Sequence, residues 1–453
     1  MEQNKIDFER EGVTKLFFKM LFPTLLGTLS LSAVTAIDGI FVGHGVGAYG
    51  VAAINIACPI YQVMAGLGLM VGMGCSVTCA ILLSKGSVRE SRFRITQSIA
   101  FCAVMVALFC LVVECFPTSV ARLLGASDTL LPDVVDYLRY IMPCFVFEMF
   151  SLIGLFIIRL DGAPRYAMWC NVVPGILNVV LDWLFIFPLQ MGVKGASIAT
   201  SISICVGGIM ALAYLLNTNN QLHMVRLRCS AQGLRKLLLS VCEQSRIGFS
   251  SMLGELSLAV LIVVGNLTFM AYLGDDGVGA FGIACYYTPF FFMVGNAVAQ
   301  SAQPIISFNY GLSRWSHVIA VRRLLLLTSL VLGIVVTALF VFIPEWLVAL
   351  FVDVNSVAGQ LAIVGFPYFA VGIVFFILNI AVIGYYQSIE RMKRANLLVL
   401  LRGALLLIPA FVFLPHVLGV PGIWLAMPLA ELLTLLIYFL PLLWRRHKYH
   451  IAG

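Results

Sequence analysis

Charge is what this sequence has least of. Asp, Glu, Lys and Arg make up only 11% of the 453 residues, against 61% apolar, where a water-soluble domain carries about 25% charged residues. So few polar groups cannot cover a soluble particle of this size, which excludes a soluble enzyme. The 12 cysteines include no CxxC pair, and the six histidines are dispersed, so neither a redox motif nor a structural metal is expected. Cys75 and Cys79, four apart on one helix face, read as packing residues. No GxxxxGK[ST] loop is present, which removes nucleotide hydrolysis as an internal energy source. With 32 Phe, disorder is excluded as well. The basic residues, which give a net charge of +7, come in short clusters between apolar runs. That arrangement orients membrane spans and does not point to nucleic acid.

What is present is a series of long apolar runs. A helical span needs about 20 apolar residues, and the runs predict twelve: 20–43, 51–83, 95–116, 134–158, 166–188, 194–216, 247–273, 278–308, 324–344, 357–386, 396–414 and 421–444. The first follows a charged segment (Glu2, Lys5, Asp7, Glu9, Arg10, Glu11, Lys15, Lys19) and is too long for a signal core, so it is expected to be retained. The loops fall into two sets. One set, with both termini, holds 24 of the 28 Lys and Arg; the other holds Arg122 and Lys194, and Arg139 and Arg402 fall within spans. Such a split predicts cytoplasmic termini.

An internal repeat sets the expected architecture. GVGAYGVAA at 45–53 recurs as GVGAFGIAC at 277–285, and GVKGASIA at 192–199 answers GVPGIWLA at 419–426. Two six-span halves enter the membrane from the same side, so the repeat is parallel, with a pseudo-two-fold along the membrane normal. The expected fold is an all-α integral membrane protein of two six-helix bundles: residues 1–216, a basic cytoplasmic linker at 217–246, and residues 247–453. Halves of this kind meet at a cleft near the midplane and rock to give alternating access.

Charges inside spans are costly, and each is a functional candidate. They are Asp38, Glu114, Asp136, Arg139, Glu148, Asp182, Glu255, Arg402 and Glu431. Glu114 and Asp136 lie near span ends and read as solvated surface. Asp38 is deep in the first span, and Pro23, fifteen residues before it, removes a backbone hydrogen bond and is placed to bend that helix. Asp182 shares a helix face with Asn178, and Thr200 lies in the next span. Two carboxylates with an amide and a hydroxyl suit a proton or a small hard cation; the alternative is a polar network that only fixes packing. The repeat offsets put Met270, Leu405 and Pro409 opposite Asp38, Asn178 and Asp182, so the halves do not share this chemistry. Glu255, Arg402 and Glu431 form a second candidate cluster, either a structural ion-paired group or a site for substrate or a second charge. Phe145, Phe147, Met149, Phe150 and the run from Phe290 to Met293 read as packing more than as cleft lining. The glycines at 66, 68, 72 and 74 permit close helix approach.

Several stretches together resemble the multidrug and toxic compound extrusion (MATE) transporters, bacterial DinF-like branch. They are P-x14-D-x-IFVG from Pro23, VGAYGVAA, RLDGAPRY, LNVVLDWLFIF, GVKGASIAT, QPIISFNYG and GVPGIWLAMPLAE. The resemblance runs from Pro23 to the last span. It implies a secondary antiporter of the bacterial inner membrane that exports amphipathic or cationic organic compounds in exchange for H+ or Na+. It assigns cation coupling to Asp38, Asn178, Asp182 and Thr200, with Tyr137 matching a fourth-helix Tyr, and helix bending to Pro23. A Na+ ion would sit at Asp38, Asn178 and Asp182. Glu255 lies about one turn from the position of a functional Glu in the NorM-like branch, and the tenth span has no Asp to partner it. No enzyme activity and no cofactor beyond the coupling ion are expected, and the chain is expected to act as a monomer in the lipid bilayer on small-molecule substrates. The alternative is a flippase for a lipid-linked precursor. That activity would favour a cleft rich in Arg and Lys for pyrophosphate, and only Arg139 and Arg402 lie within spans.

Overall fold

Helices account for every long apolar run because a bilayer offers the backbone no hydrogen-bond partners other than its own. The computed structural model describes residues 11–46, 48–124, 126, 128, 130–226 and 231–451. The first ten residues, with Glu2, Lys5, Asp7, Glu9 and Arg10, lie outside the described residues, as does Gly47 of the first repeat motif. Among the described residues, twelve helices are long and apolar enough to cross a membrane. Numbered in chain order as spans 1 to 12, they are Val13–Val42, Ile56–Ser84, Val88–Cys115, Leu131–Leu160, Pro164–Ile186, Gly192–Leu216, Leu237–Gly274, Asp276–Gly311, Trp315–Phe342, Val357–Ser388, Met392–Leu418 and Val420–Phe439.

Each expected span is present, and the helices mostly outrun the apolar stretches. Span 1 begins at Val13, where Lys19 Nζ donates to Glu11 Oε1 at 2.7 Å. The stretch read as a linker is helical from Ala231 onward, in one helix that runs to Gly311 and breaks only at Gly274 (φ 64°, ψ −156°). Its polar residues find partners that let the helix continue: Arg94 Nη1 donates to Glu243 at 2.9 Å, and the Ser98 hydroxyl donates to Gln244.

The chain forms two compact units. The first holds 1–252, 300–321 and 387–390; the second holds 253–299, 322–386 and 391–453. In the first unit, span 5 lies along spans 1 and 6, and span 4 along spans 2 and 6. Spans 1 and 5 run parallel in register. A Cβ on Gly27 would meet Met168 and Asn171, one on Gly175 would meet Val34, and one on Gly45 would meet Ile186. That register carries Asp38 alongside Asp182. Span 2 crosses the start of span 7 antiparallel, with Gly74 against the Gln244 carbonyl and Gly248 against the Met70 carbonyl. Neither contact leaves room for a side chain, as close small-residue crossings require. Gly68 and Gly72 serve the same end against Leu152, Met149, Ile153 and Phe156 of span 4. A buried polar belt accompanies the crossing: Ser76 Oγ to Gln303 Oε1 at 2.9 Å, Arg159 Nη1 to Gln300 Oε1 at 2.6 Å, and Gln387 Nε2 to Ser250 Oγ at 2.8 Å. Cys75 and Cys79 are fully buried with their sulfurs 3.9 Å apart, as packing residues.

The second unit has an aromatic centre in which Phe291, Phe340, Phe366, Phe369, Phe376 and Trp424 touch edge to face or tilted. Phe291 and Phe292, like Phe145 and Met149 in the first unit, are buried, so these runs fill cores. The repeat is visible in the turns. Gly86, Gly162 and Gly192 have φ of 76°, 81° and 59°; Ser313, Glu390 and Gly419 have φ of 55°, 55° and 64°. The pairs 86/313, 162/390 and 192/419 are separated by 227, 228 and 227 residues. Left-handed backbone recurs at equivalent turns even where the second copy has lost the glycine, at a cost of roughly 1–2 kcal/mol per L-residue.

Candidate functional site

The site grows from the parallel contact of spans 1 and 5. Asp38 projects from the continuous helix Val13–Gly45, which contains Pro23. Asp182 and Asn178, one turn apart on span 5, are both buried, Asp182 completely. The Asp38 and Asp182 carboxyls stand within hydrogen-bonding reach of each other. Yet Asp38 Oδ1 and both Asp182 oxygens are buried with no donor. Two acceptor-only groups cannot satisfy one another; the arrangement is complete only when a proton or a cation lies between them. Asn178 Nδ2 donates to Thr200 Oγ1 of span 6 at 3.4 Å, which joins the amide one turn from Asp182 to the hydroxyl of the next span. Tyr137 is within electrostatic range of both Asp38 and Asp182, and its carbonyl accepts from Ser197 Oγ of span 6 at 2.9 Å. Asp38, Asn178, Asp182, Thr200 and Tyr137 are thus gathered in one place, from spans 1, 4, 5 and 6.

Span 5 reaches this arrangement with the help of Pro174, which leaves the Cys170 carbonyl without its helical donor. Gly207 of span 6 lies against both that carbonyl and the Pro174 ring, so the freed carbonyl is packed against a helix with no side chain to clash.

The second candidate cluster divides. Arg402 and Glu431 form a buried pair: Nη2 to Oε1 at 2.7 Å, with Nε to Oε1 and Oε2 at 3.0 and 3.1 Å. Asn379 of span 10 completes it, donating to Glu431 Oε2 at 2.7 Å and to the Glu431 carbonyl at 2.8 Å. The guanidinium lies 4.1 Å from the centre of the Phe376 ring. Arg402 sits in a single π-helical turn, Leu401–Leu405. Glu255 does not join this pair and has no hydrogen bond or ion pair among the described residues. Both carboxylate oxygens of Glu431 and the Nε and Nη2 of Arg402 are engaged, which is the geometry of a staple.

Two participants escaped the sequence reading. Asn379 is a single amide in an apolar run, and only its polarity at that depth signalled a partner. Tyr61 hydrogen-bonds the buried carboxyl of Glu148, and tyrosines in spans are too common for that to be read in advance. Of the two outer carboxylates, Asp136 is exposed and Glu114 is half-buried.

Known proteins place this arrangement in context. The chain is 24% identical over 440 residues to the multidrug export protein MepA of Staphylococcus aureus, covering 95% of this chain and 93% of that one. Among solved structures it is similar to the outward-facing conformation of a multidrug resistance MATE family transporter of the MOP superfamily, with a TM-score of 0.89 at 20% identity over 99% of this chain and 98% of that one. It is also similar to a MATE crystallised in complex with MaD3S, with a TM-score of 0.86 at 21% identity over 97% of each chain. These relatives are named as transporters, and twelve apolar helices make this chain a multi-pass membrane protein. The MatE family model matches residues 23–184 and again 251–412, once in each copy of the repeat read from the turns. A sequence that carries the same family pattern twice, in the order of its own internal repeat, belongs to the MatE family.

Proposed function

We propose that the protein is a cation-coupled antiporter that exports amphipathic, often cationic, organic compounds. The observation that carries the reading is the face-to-face pair of Asp38 and Asp182 with three donorless buried oxygens. Two carboxylates so close in a low-dielectric interior repel strongly unless a proton or a cation joins them. Loading and unloading that ion biases the equilibrium between inward- and outward-open states, provided the ion binds the two states with different affinity. Asn178, Thr200 and Tyr137 supply the surrounding oxygens, and Pro23 is placed to let span 1 bend as the load changes. The name of the S. aureus relative, a multidrug export protein, supports a drug-like substrate class. The 24-to-2 division of basic residues between the two loop sets supports cytoplasmic termini. Against the flippase alternative, Arg402, a base it would need for pyrophosphate, is taken up by Glu431.

The test is dye-cation transport in proteoliposomes under an imposed pH gradient or an imposed sodium gradient. Transport driven by one of the gradients, and lost in Asp38→Asn and Asp182→Asn at normal expression, is the expected result. Export retained in both variants would overturn the reading.

A further inference from the structure

Glu148 is a buried carboxyl that the paired site does not use. It lies on span 4, 8% exposed, just beyond a 3-10 turn at Met142–Cys144. Its hydrogen-bond partner is the Tyr61 hydroxyl of span 2, whose ring packs on Phe145 at 5.9 Å. No ion pair to Glu148 exists among the described residues.

Its own neighbours are neutral proton bearers: Tyr61 of span 2 and, one turn back on span 4, Cys144. Beyond them, Cys110 of span 3 and Ser201 and Cys205 of span 6 lie near Cys144, and Cys58 of span 2 lies near Tyr137. The charged groups nearby on the neighbouring elements stand at the surface: Lys194 over the Tyr140 ring at 4.9 Å, and the exposed Arg139. Arg159, on the same span, is eleven residues further on, about 16 Å along the helix. A carboxylate buried without a cation is costly in protein and more so in a membrane, and it is normally kept as the neutral acid. A metal cation does not fit: the hydroxyl of Tyr61 is a single oxygen beside the carboxyl, whereas hard cations gather six or more.

The position is connected to the paired site. Cys144 lies within electrostatic range of Glu148, and Tyr137 lies within range of Cys144, Asp38 and Asp182. Cys144 and Tyr137 thus form a short run of proton-bearing groups on span 4 between Glu148 and the paired site. We propose that Glu148, held by Tyr61, is a second proton-carrying site of the first unit, loaded from one side of the membrane and emptied to the other in the same cycle as the Asp38–Asp182 pair. This rests on the antiporter reading and adds to it a proton count.

Two measurements test it. In proteoliposomes, the pH gradient that just halts uptake of the permanently charged dye ethidium gives the protons exchanged per cation. Glu148→Gln is expected to transport with one proton fewer per cycle, and Glu148→Asp to restore the count. In parallel, the infrared carboxylic-acid band is expected to persist in the Asp38→Asn/Asp182→Asn double variant, to vanish when Glu148→Gln is added, and to shift in Tyr61→Phe. An unchanged proton count in Glu148→Gln, or a band indifferent to that substitution, overturns the second site while leaving the antiporter intact. Wild-type transport driven by sodium alone has the same meaning. Transport under neither gradient overturns the antiporter reading itself.

Discussion

Removing the guanidinium of Arg402 separates a structural role for the second unit's charges from a transporting one. In the native protein its charge is fully answered: three contacts of 2.7–3.1 Å to Glu431, the Asn379 amide on the same carboxylate, and both side chains 4% exposed. Arg402→Met fills the space but strands Glu431, and breaking a buried pair from one side costs about 3–5 kcal/mol. Glu431→Leu alone strands the guanidinium and falls in the same range. The double variant Arg402→Met/Glu431→Leu takes one acceptor from the Asn379 amide, which keeps the Glu431 carbonyl, a loss of at most about 1–3 kcal/mol, and replacing a buried pair by apolar residues is often neutral. The expected double-mutant cycle thus shows a coupling of a few kcal/mol, on the order of the single losses. The assay is thermal unfolding in detergent of the four proteins, followed by dye export for those that fold. If each single variant unfolds like the wild type, the pair is not the staple described. If the double variant is as stable as the wild type but does not export, the charges act in transport.

Three further outcomes are expected. Gly74→Leu or Gly248→Leu places a side chain on a carbonyl of the opposite helix and should destabilise by at least about 1–3 kcal/mol, read by unfolding, while Gly12→Leu, whose Cβ meets nothing within 4 Å, should not. Glu390→Gly at a φ of 55° relieves left-handed backbone and should gain about 1 kcal/mol, whereas Gly162→Ala at the equivalent turn should lose a similar amount. Glu390→Gln should stabilise at neutral pH. Burial first, and then the Glu243 carboxylate, raise the Glu390 pKa above its ordinary 4.5, against the pull of Lys85 and Arg94. The folded state therefore holds that proton more tightly than the unfolded chain, and stability declines as pH rises through the carboxylate range. The advantage of the glutamine should shrink as the pH is lowered, and a gap that widens instead would refute the sign.

The spans were legible because a bilayer turns hydropathy into structure almost directly. The ends were less so. Span 7 begins ten residues before its apolar run, since Glu243 and Gln244 are answered by Arg94 and Ser98, partners 149 and 146 residues away that no local pattern displays. At the paired site, Asn178 and Asp182 could be placed on one helix face from their spacing, but that Asp38 comes to face Asp182 depended on a glycine register between two non-adjacent spans. For Arg402 and Glu431 the residue types were visible and the pairing was not, and Glu255, equally visible, stands apart. Tyr61 gave no signal at all, because a hydroxyl is neutral and a span accommodates it readily.

The recurring left-handed turns also serve as a ruler. With 192 matched to 419, Arg402 falls on the position of Gly175, whereas the first unit's acid sits at residue 182 of the corresponding helix. Seven residues of helix are about 10 Å. The same helix, in its two occurrences, therefore carries its polar residue at two different positions along its length: opposed acids at one, a neutralised staple some two turns away at the other. Exchanging one copy of the repeat for the other would preserve every turn and still displace the charge by a third of the thickness of the hydrocarbon core, about 30 Å.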